Sequence, residues 1–209
     1  MDKKALCRKI IDVLEQEYPG AETRLDFKSV FQLVVAVVLS AQSTDAQVNR
    51  VTAQLFAKYP TPFQLAESNL EELEQDIRGV GLYHTKARNI QKLAQVLVEE
   101  YAGEVPEDFD LLLRLPGVGR KSANVIMSVG FDKPGLGVDT HVARVSRRLG
   151  LVETANPRII EDKLKELIPI EKWGETHHLL IYHGREICHA RKPKCHQCVI
   201  NAWCLKIIE

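Results

Sequence analysis

Three groups of residues in this 209-residue chain have the types and spacing to do chemistry. The first is Lys121, two residues after the turn in Leu115-Pro116-Gly117-Val118-Gly119-Arg120-Lys121-Ser122-Ala123-Asn124. Glycines let backbone N–H groups converge on an anion, and a helix that starts there adds its positive dipole end. A free lysine amine is neutral in only about one molecule in two thousand at pH 7. Arg120 and the dipole favour the neutral, nucleophilic form. The second group is Asp139 in Gly137-Val138-Asp139-Thr140-His141-Val142, ahead of Arg144, Arg147 and Arg148. Asp139 reads as an N-cap, and capping would fix a carboxylate able to stabilise a developing cation or move a proton. The third is Cys188-x6-Cys195-x2-Cys198-x5-Cys204. Four soft ligands so close together suit zinc or an iron–sulfur cluster, and spacing alone does not choose.

A P-loop is excluded for the glycine turn. One residue separates Gly117 from Gly119, Arg120 precedes the lysine, and the preceding segment, Phe109–Leu115, is helix-like rather than a strand. What fits is a helix–hairpin–helix, whose amides hold a nucleic-acid phosphate without reading base edges. Used as a nonenzymatic grip, the same motif would make Lys121 only a phosphate contact. Ile77-Arg78-Gly79-Val80-Gly81-Leu82 repeats the pattern faintly and reads first as a helix–helix turn.

The elements that position these groups read as helix nearly throughout. Leu6, Ile10, Val13 and Leu14 form one apolar face; Val48, Val51, Leu55 and Phe56 form another. Asn69 with Glu72 predicts a capping box, and Asn156-Pro157 a helix start. Val34–Val38 is the one strand-like run, but it lacks a partner and is expected as buried helix. Gly130–Gly137, with Pro134, is the expected hinge between two lobes. His177, His178 and His183 read as structural helix residues, and Cys7 as an ordinary one. Gln42, in Ser40-Ala41-Gln42-Ser43-Thr44-Asp45, reads as the polar end of the most apolar helix.

Composition sets the outer bounds. Charge balances at 28 bases against 28 acids, which argues mildly against nonspecific nucleic-acid binding. Its distribution is uneven: residues 110–151 hold seven bases against three acids, and 61–109 four bases against ten acids. No run reaches the ~18 apolar residues of a membrane span, and the amphipathic start does not read as an export signal. Cysteines crowded at one end suit a metal site better than disulfides, so a cytoplasmic protein is expected.

Together these residues resemble the endonuclease III family of DNA repair glycosylases, along essentially the whole chain. The resemblance implies an all-α protein of two helical lobes, a six-helix lobe at 22–133 and a cluster lobe of 1–21 plus 134–209. It implies a [4Fe-4S] cluster on Cys188, Cys195, Cys198 and Cys204, in a structural or DNA-sensing role. The substrate would be damaged double-stranded DNA carrying oxidised pyrimidines or abasic sites, with the nucleotide flipped out of the stack. Lys121 matches the family's nucleophile and Asp139 its essential carboxylate. Gln42 and Leu82 match gap-filling and wedging positions. Gly117, Val118, Gly119, His141, Arg144, Arg191 and Lys192 are the further expected DNA contacts, and the protein is expected to act as a monomer. A monofunctional adenine glycosylase lacks the lysine and carries an acid in the apolar helix, whereas Phe31–Gln42 has none. A nonenzymatic DNA-binding module with a structural metal leaves Lys121 and Asp139 unexplained.

Overall fold

The computed structural model describes residues 2–207; residues 1, 208 and 209 of the expected cluster lobe lie outside the described residues. Every regular element among the described residues is helical. The chain divides into two compact units, Arg24–Lys133 and Met1–Thr23 with Pro134–Glu209.

The Arg24–Lys133 unit is built on helix α2 (Val30–Leu39), buried from Phe31 to Leu39. A helix apolar on every side can exist only with packing all round. Here α3 (Asp45–Lys58), α6 (Tyr83–Tyr101) and α8 (Arg120–Val125) supply it, with a π-helical turn at Ile126–Gly130. The valine run is therefore helix, as expected, despite its β-branched residues. Ser29 starts it by accepting a bond from the Gln32 amide at 3.3 Å. On α6 the buried positions are Lys86, Ala87, Ile90, Leu93, Ala94 and Leu97, the stripe that helical periodicity gives. Two short helices, α4 (Pro62–Ala66) and α5 (Leu70–Asp76), pack on α6.

The second unit packs α1 (Lys3–Glu17) against α10 (Pro157–Leu167) and α11 (Trp173–Glu186), and α11 against α9 (Thr140–Arg148). Asn156 caps α10 through the amides of Arg158 and Ile159 at 3.0 and 3.4 Å, with Pro157 in the first turn. The two sequence-derived details that change are local. On α1 the fully buried stripe is Cys7, Ile10, Ile11 and Leu14. It has i, i+3, i+4, i+7 spacing, and Leu6 and Val13 flank it half-buried. Cys7 is thus a core residue, and burial pushes its thiol up to about 11. At α5, Asn69 caps the Glu72 amide at 3.1 Å, but the Glu72 carboxylate goes to Lys58 instead of back to the cap. The reciprocal box occurs at Thr44 and Gln47 of α3.

The crossing of α9 and α11 depends on Gly184. A Cβ there would lie 2.9 Å from both Cβ and Nδ1 of His141. Gly184→Ala is expected to destabilise the protein by about 1–3 kcal/mol through overpacking. A shift of the urea midpoint at unchanged m-value checks this.

Candidate active site

The glycine turn is a helix–hairpin–helix. Helix α7 (Phe109–Leu112) is capped by Asp108, whose Oδ1 accepts from the Asp110 and Leu111 amides at 2.9 Å each. The chain then turns through Gly117 at φ +83°, with the Val118 amide bonded to Leu115 O at 3.0 Å. That φ is left-handed, and a Cβ at Gly117 would lie 3.0 Å from Val38 Cγ1. Glycine is required there by conformation and by packing. Gly119 is different. Its φ is −97°, and an added Cβ would meet nothing within 4 Å. Nothing inside the protein needs that glycine, so the open backbone faces outward. The Val118 side chain is buried and its amide is taken up by Leu115 O, so the donors open to a ligand belong to its neighbours in the turn. Lys121 sits second in α8 and is half-buried, while Arg120 stacks on Phe109 with its guanidinium 5.1 Å from the ring centre.

In the same unit, Gln42 and Leu82 are exposed and both adopt left-handed backbone, at φ 55° and 58°. Such angles are uncommon for a residue with a Cβ and mark a turn held by its surroundings.

In the other unit Asp139 caps α9, as its position in the sequence suggested. Its Oδ1 accepts from the amides of His141 and Val142 at 2.8 Å each, which fixes the carboxylate and leaves Oδ2 for another partner. Burial, helped by Arg144 and Arg185, holds the His141 imidazole below its ordinary pKa against the pull of Asp139. Arg144 is committed to the protein interior: Nε donates to Cys188 O at 3.0 Å and Nη2 to Gly184 O at 2.8 Å, with His141 Nδ1 at 3.1 Å.

The four cysteines come together around a single cavity walled by Val145, Leu149, Ile187 and Ile200. As placed, no three His, Cys, Asp or Glu side chains among the described residues could hold a metal ion. The sulfurs surround a space rather than one point. Tetrahedral zinc needs Zn–S bonds of about 2.3 Å, and hence thiolates drawn close together. A thiolate set spaced around a cavity fits a polynuclear cluster. Donors face the sulfurs from the protein: Arg148 Nη1 reaches Cys188 Sγ at 3.3 Å and the Lys206 amide reaches Cys204 Sγ at 3.4 Å. His183 Nε2 lies 3.5 Å from Cys198 Sγ, and its Nδ1 lies 3.1 Å from Tyr18 Oη. Burial raises the Cys198 and Cys204 thiols, so their deprotonation has to come with the bound centre. Arg191 and Lys192 stand exposed on the intervening loop.

A family model for HhH-GPD superfamily base excision DNA repair proteins matches residues 35–170. A second, the iron–sulfur binding domain of endonuclease III, matches 188–204, from the first cysteine to the last. The endonuclease III of Bacillus subtilis (strain 168) is 50% identical over 195 residues, 93% of this chain and 89% of that protein. The chain belongs to the endonuclease III family. The Escherichia coli (strain K12) member is 43% identical over 201 residues, covering 96% of this chain and 95% of its own. A structure of a trapped endonuclease III–DNA covalent intermediate superposes with TM-score 0.94 at 49% identity, covering 99% of this chain and 97% of that one. A thermostable thymine-DNA glycosylase superposes with TM-score 0.83 at 25% identity, covering 97% and 94%. The protein thus carries the [4Fe-4S] cluster of the endonuclease III family, in the C-terminal segment that contains the four cysteines.

Sequence reasoning did not single out Arg148. It is 6% exposed and bonds His189 O at 2.7 Å and Ala190 O at 2.9 Å as well as Cys188 Sγ. It stands in a basic helix and looked like a solvated charge. Its only sequence signal is its place on the apolar stripe with Val145 and Leu149. Arg148→Met is expected to speed loss of the cluster about tenfold or more, with Arg148→Lys failing to restore three bonds at once. Decay of visible absorbance under chelator measures it.

Proposed function

We propose that the protein is a monomeric, bifunctional DNA glycosylase and AP lyase of base excision repair that removes oxidised pyrimidines from duplex DNA. The observation that carries the residue assignment is Lys121 at the start of α8, two residues beyond an open glycine backbone. Outward amides of the hairpin and the helix dipole hold a phosphate, with Gly117 and Gly119 allowing close approach. That grip places Lys121 against the sugar of the adjacent nucleotide.

Lys121 Nζ attacks sugar C1′, the C1′–N bond breaks, and the base leaves with its electron pair and gains a proton. The amine loses a proton and the sugar ring opens to a Schiff base between Nζ and C1′. A C2′ proton is then removed, and the C3′–O bond breaks, cutting the strand 3′ to the lesion. Water hydrolyses the product from the lysine. Asp139, held by its cap bonds, stabilises positive charge on the sugar as the base departs and moves protons afterwards. Gln42 fills the gap left by the extruded nucleotide, and Leu82 wedges the duplex. Arg191 and Lys192 on the cysteine loop contact phosphates; His141, in the first turn of α9, adds its ring to that surface. Arg144, expected from the sequence as a further contact, instead spends its donors on Cys188 O, Gly184 O and Thr140 O and supports the surface from within.

Hydrolysis and elimination need no electron; Cys188, Cys195, Cys198 and Cys204 would hold the [4Fe-4S] cluster, which would order the loop that carries Arg191 and Lys192. The Arg24–Lys133 unit is the lobe that carries the hairpin, and the rest of the chain is the cluster lobe. No described helix is long and apolar enough to cross a membrane. A cytoplasmic, DNA-associated location belongs to this reading.

Borohydride is expected to trap wild-type protein covalently on thymine-glycol duplex and to trap none of the Lys121→Gln variant. A wild-type protein that binds this DNA but yields no trapped species contradicts the lyase assignment. Asp139→Asn separates capping from catalysis, because Asn caps as well as Asp. Unfolding free energy is expected to stay within about 0.5 kcal/mol of wild type. Single-turnover base release is expected to fall about 100-fold or more. Equal losses in DNA affinity and base release would remove Asp139 from the chemistry.

A further inference from the structure

Lys86 is a lysine in a core position. It lies on the buried stripe of α6 with Ala87, Ile90 and Leu93 and is 4% exposed. Burying an ammonium is costly unless it is bonded, and a plain apolar residue would fill this stripe at lower cost. Its partners account for it. Nζ donates to Leu39 O, the last residue of α2, at 2.8 Å and to Ser43 Oγ at 3.0 Å. The first bond satisfies one of the carbonyls that a helix leaves open at its C-terminus, where the dipole also favours a cation. The second reaches the segment just past Gln42. Ser43 Oγ also accepts from the Gly81 amide at 3.2 Å, one residue before Leu82. The two segments touch directly: a Cβ on Gly81 would lie 3.4 Å from Gln42 O. Leu82 opens α6, and its carbonyl accepts from the Lys86 amide at 3.0 Å.

One buried amine therefore fastens the end of α2, the 40–43 segment and the start of α6 to each other. The two residues between these bonds, Gln42 and Leu82, are the ones held in left-handed backbone with their side chains outward, Leu82 at 60% exposure. We propose that Lys86 is a positioning residue for duplex invasion: through Leu39 O and Ser43 Oγ it fixes the spacing and direction of Gln42 and Leu82, so that both enter the DNA together. This rests on the reading that Gln42 and Leu82 are the inserting residues. Lys86 touches no substrate atom in this role. Burial lowers the pKa of its amine, yet two backbone-linked acceptors hold it inside, away from any reacting sugar.

Two measurements separate this inference from the reading beneath it. In free protein, Lys86→Met is expected to speed hydrogen exchange of the Gly81 amide at least about tenfold while exchange in the core of α6 stays near wild type. Unchanged Gly81 exchange overturns the inference whatever the DNA does. In the second measurement, an abasic site is presented in duplex and in a single strand, which needs no wedge. Lys86→Met and Ser43→Ala are expected to slow borohydride trapping on the duplex at least about tenfold and to change single-strand trapping by less than about twofold. Equal loss on both substrates overturns the positioning role. Gln42→Ala and Leu82→Ala form the control: if they slow duplex trapping and Lys86→Met does not, Lys86 is excluded and insertion survives. If neither control slows it, the insertion reading itself is wrong. Should Lys86→Met not fold, Lys86→Gln, whose shorter side chain cannot make both bonds, carries both measurements; Ser43→Ala serves only the trapping comparison, because it removes the acceptor of the Gly81 amide directly.

Discussion

Irregular backbone packed against a helical core has to have its polar groups bonded from within, and this protein meets that requirement with buried cations. Helices satisfy their own carbonyls except at the ends, and loops satisfy theirs only in part. In one unit Lys86 crosses from α6 to the open end of α2 and to Ser43. In the other, Arg148 crosses from α9 to the carbonyls of His189 and Ala190 and to the sulfur of Cys188, beside Arg144 on Cys188 O. Each cation replaces an apolar residue on its helix stripe. In exchange, a segment without regular structure is held in one conformation. The DNA-facing parts of the molecule can then be loops while remaining as fixed as the helices beneath them.

The same constraint connects the cysteine loop to the nucleic-acid reading. Four thiolates around a cavity carry negative charge that needs donors, and Arg148 and the Lys206 amide supply them at the sulfurs. What the chain exposes beyond that network is Arg191 and Lys192, both pointing to solvent on the loop between the first two ligands. A cluster on these cysteines would close a short chain segment into a fixed basic surface.

Much of this was legible in the residues because local rules and tertiary packing agree. The valine-rich α2 reads as helix once no partner strand is found; Asp139 reads as a cap and is one; the proline at 157 marks a helix start. The details that escaped are those that depend on a distant partner. Glu72 was expected to fold back on Asn69, but Lys58 offers its carboxylate a full opposite charge. Arg148 looks like a solvated base in a basic helix and Arg144 like a DNA contact, and only the packed loop shows their donors turned to carbonyls. Lys86 did leave a trace, a lysine where the stripe of Ala87 and Ile90 calls for an apolar side chain. Its acceptors, 47 and 43 residues away, are not visible locally. Gly119 is the converse case: the sequence marks it as one of two similar glycines, and only the structure shows that nothing in the protein occupies the space where its Cβ would be.

The central claim is a covalent bond from Lys121 to sugar C1′, and the most direct test is to find that bond. Wild-type protein reduced with borohydride on damaged duplex is digested, and the peptide carrying the deoxyribose remnant is sequenced by mass spectrometry. The account predicts that the remnant sits on Lys121 Nζ. A remnant on the N-terminal amine, on Lys86 or on any other lysine would contradict it.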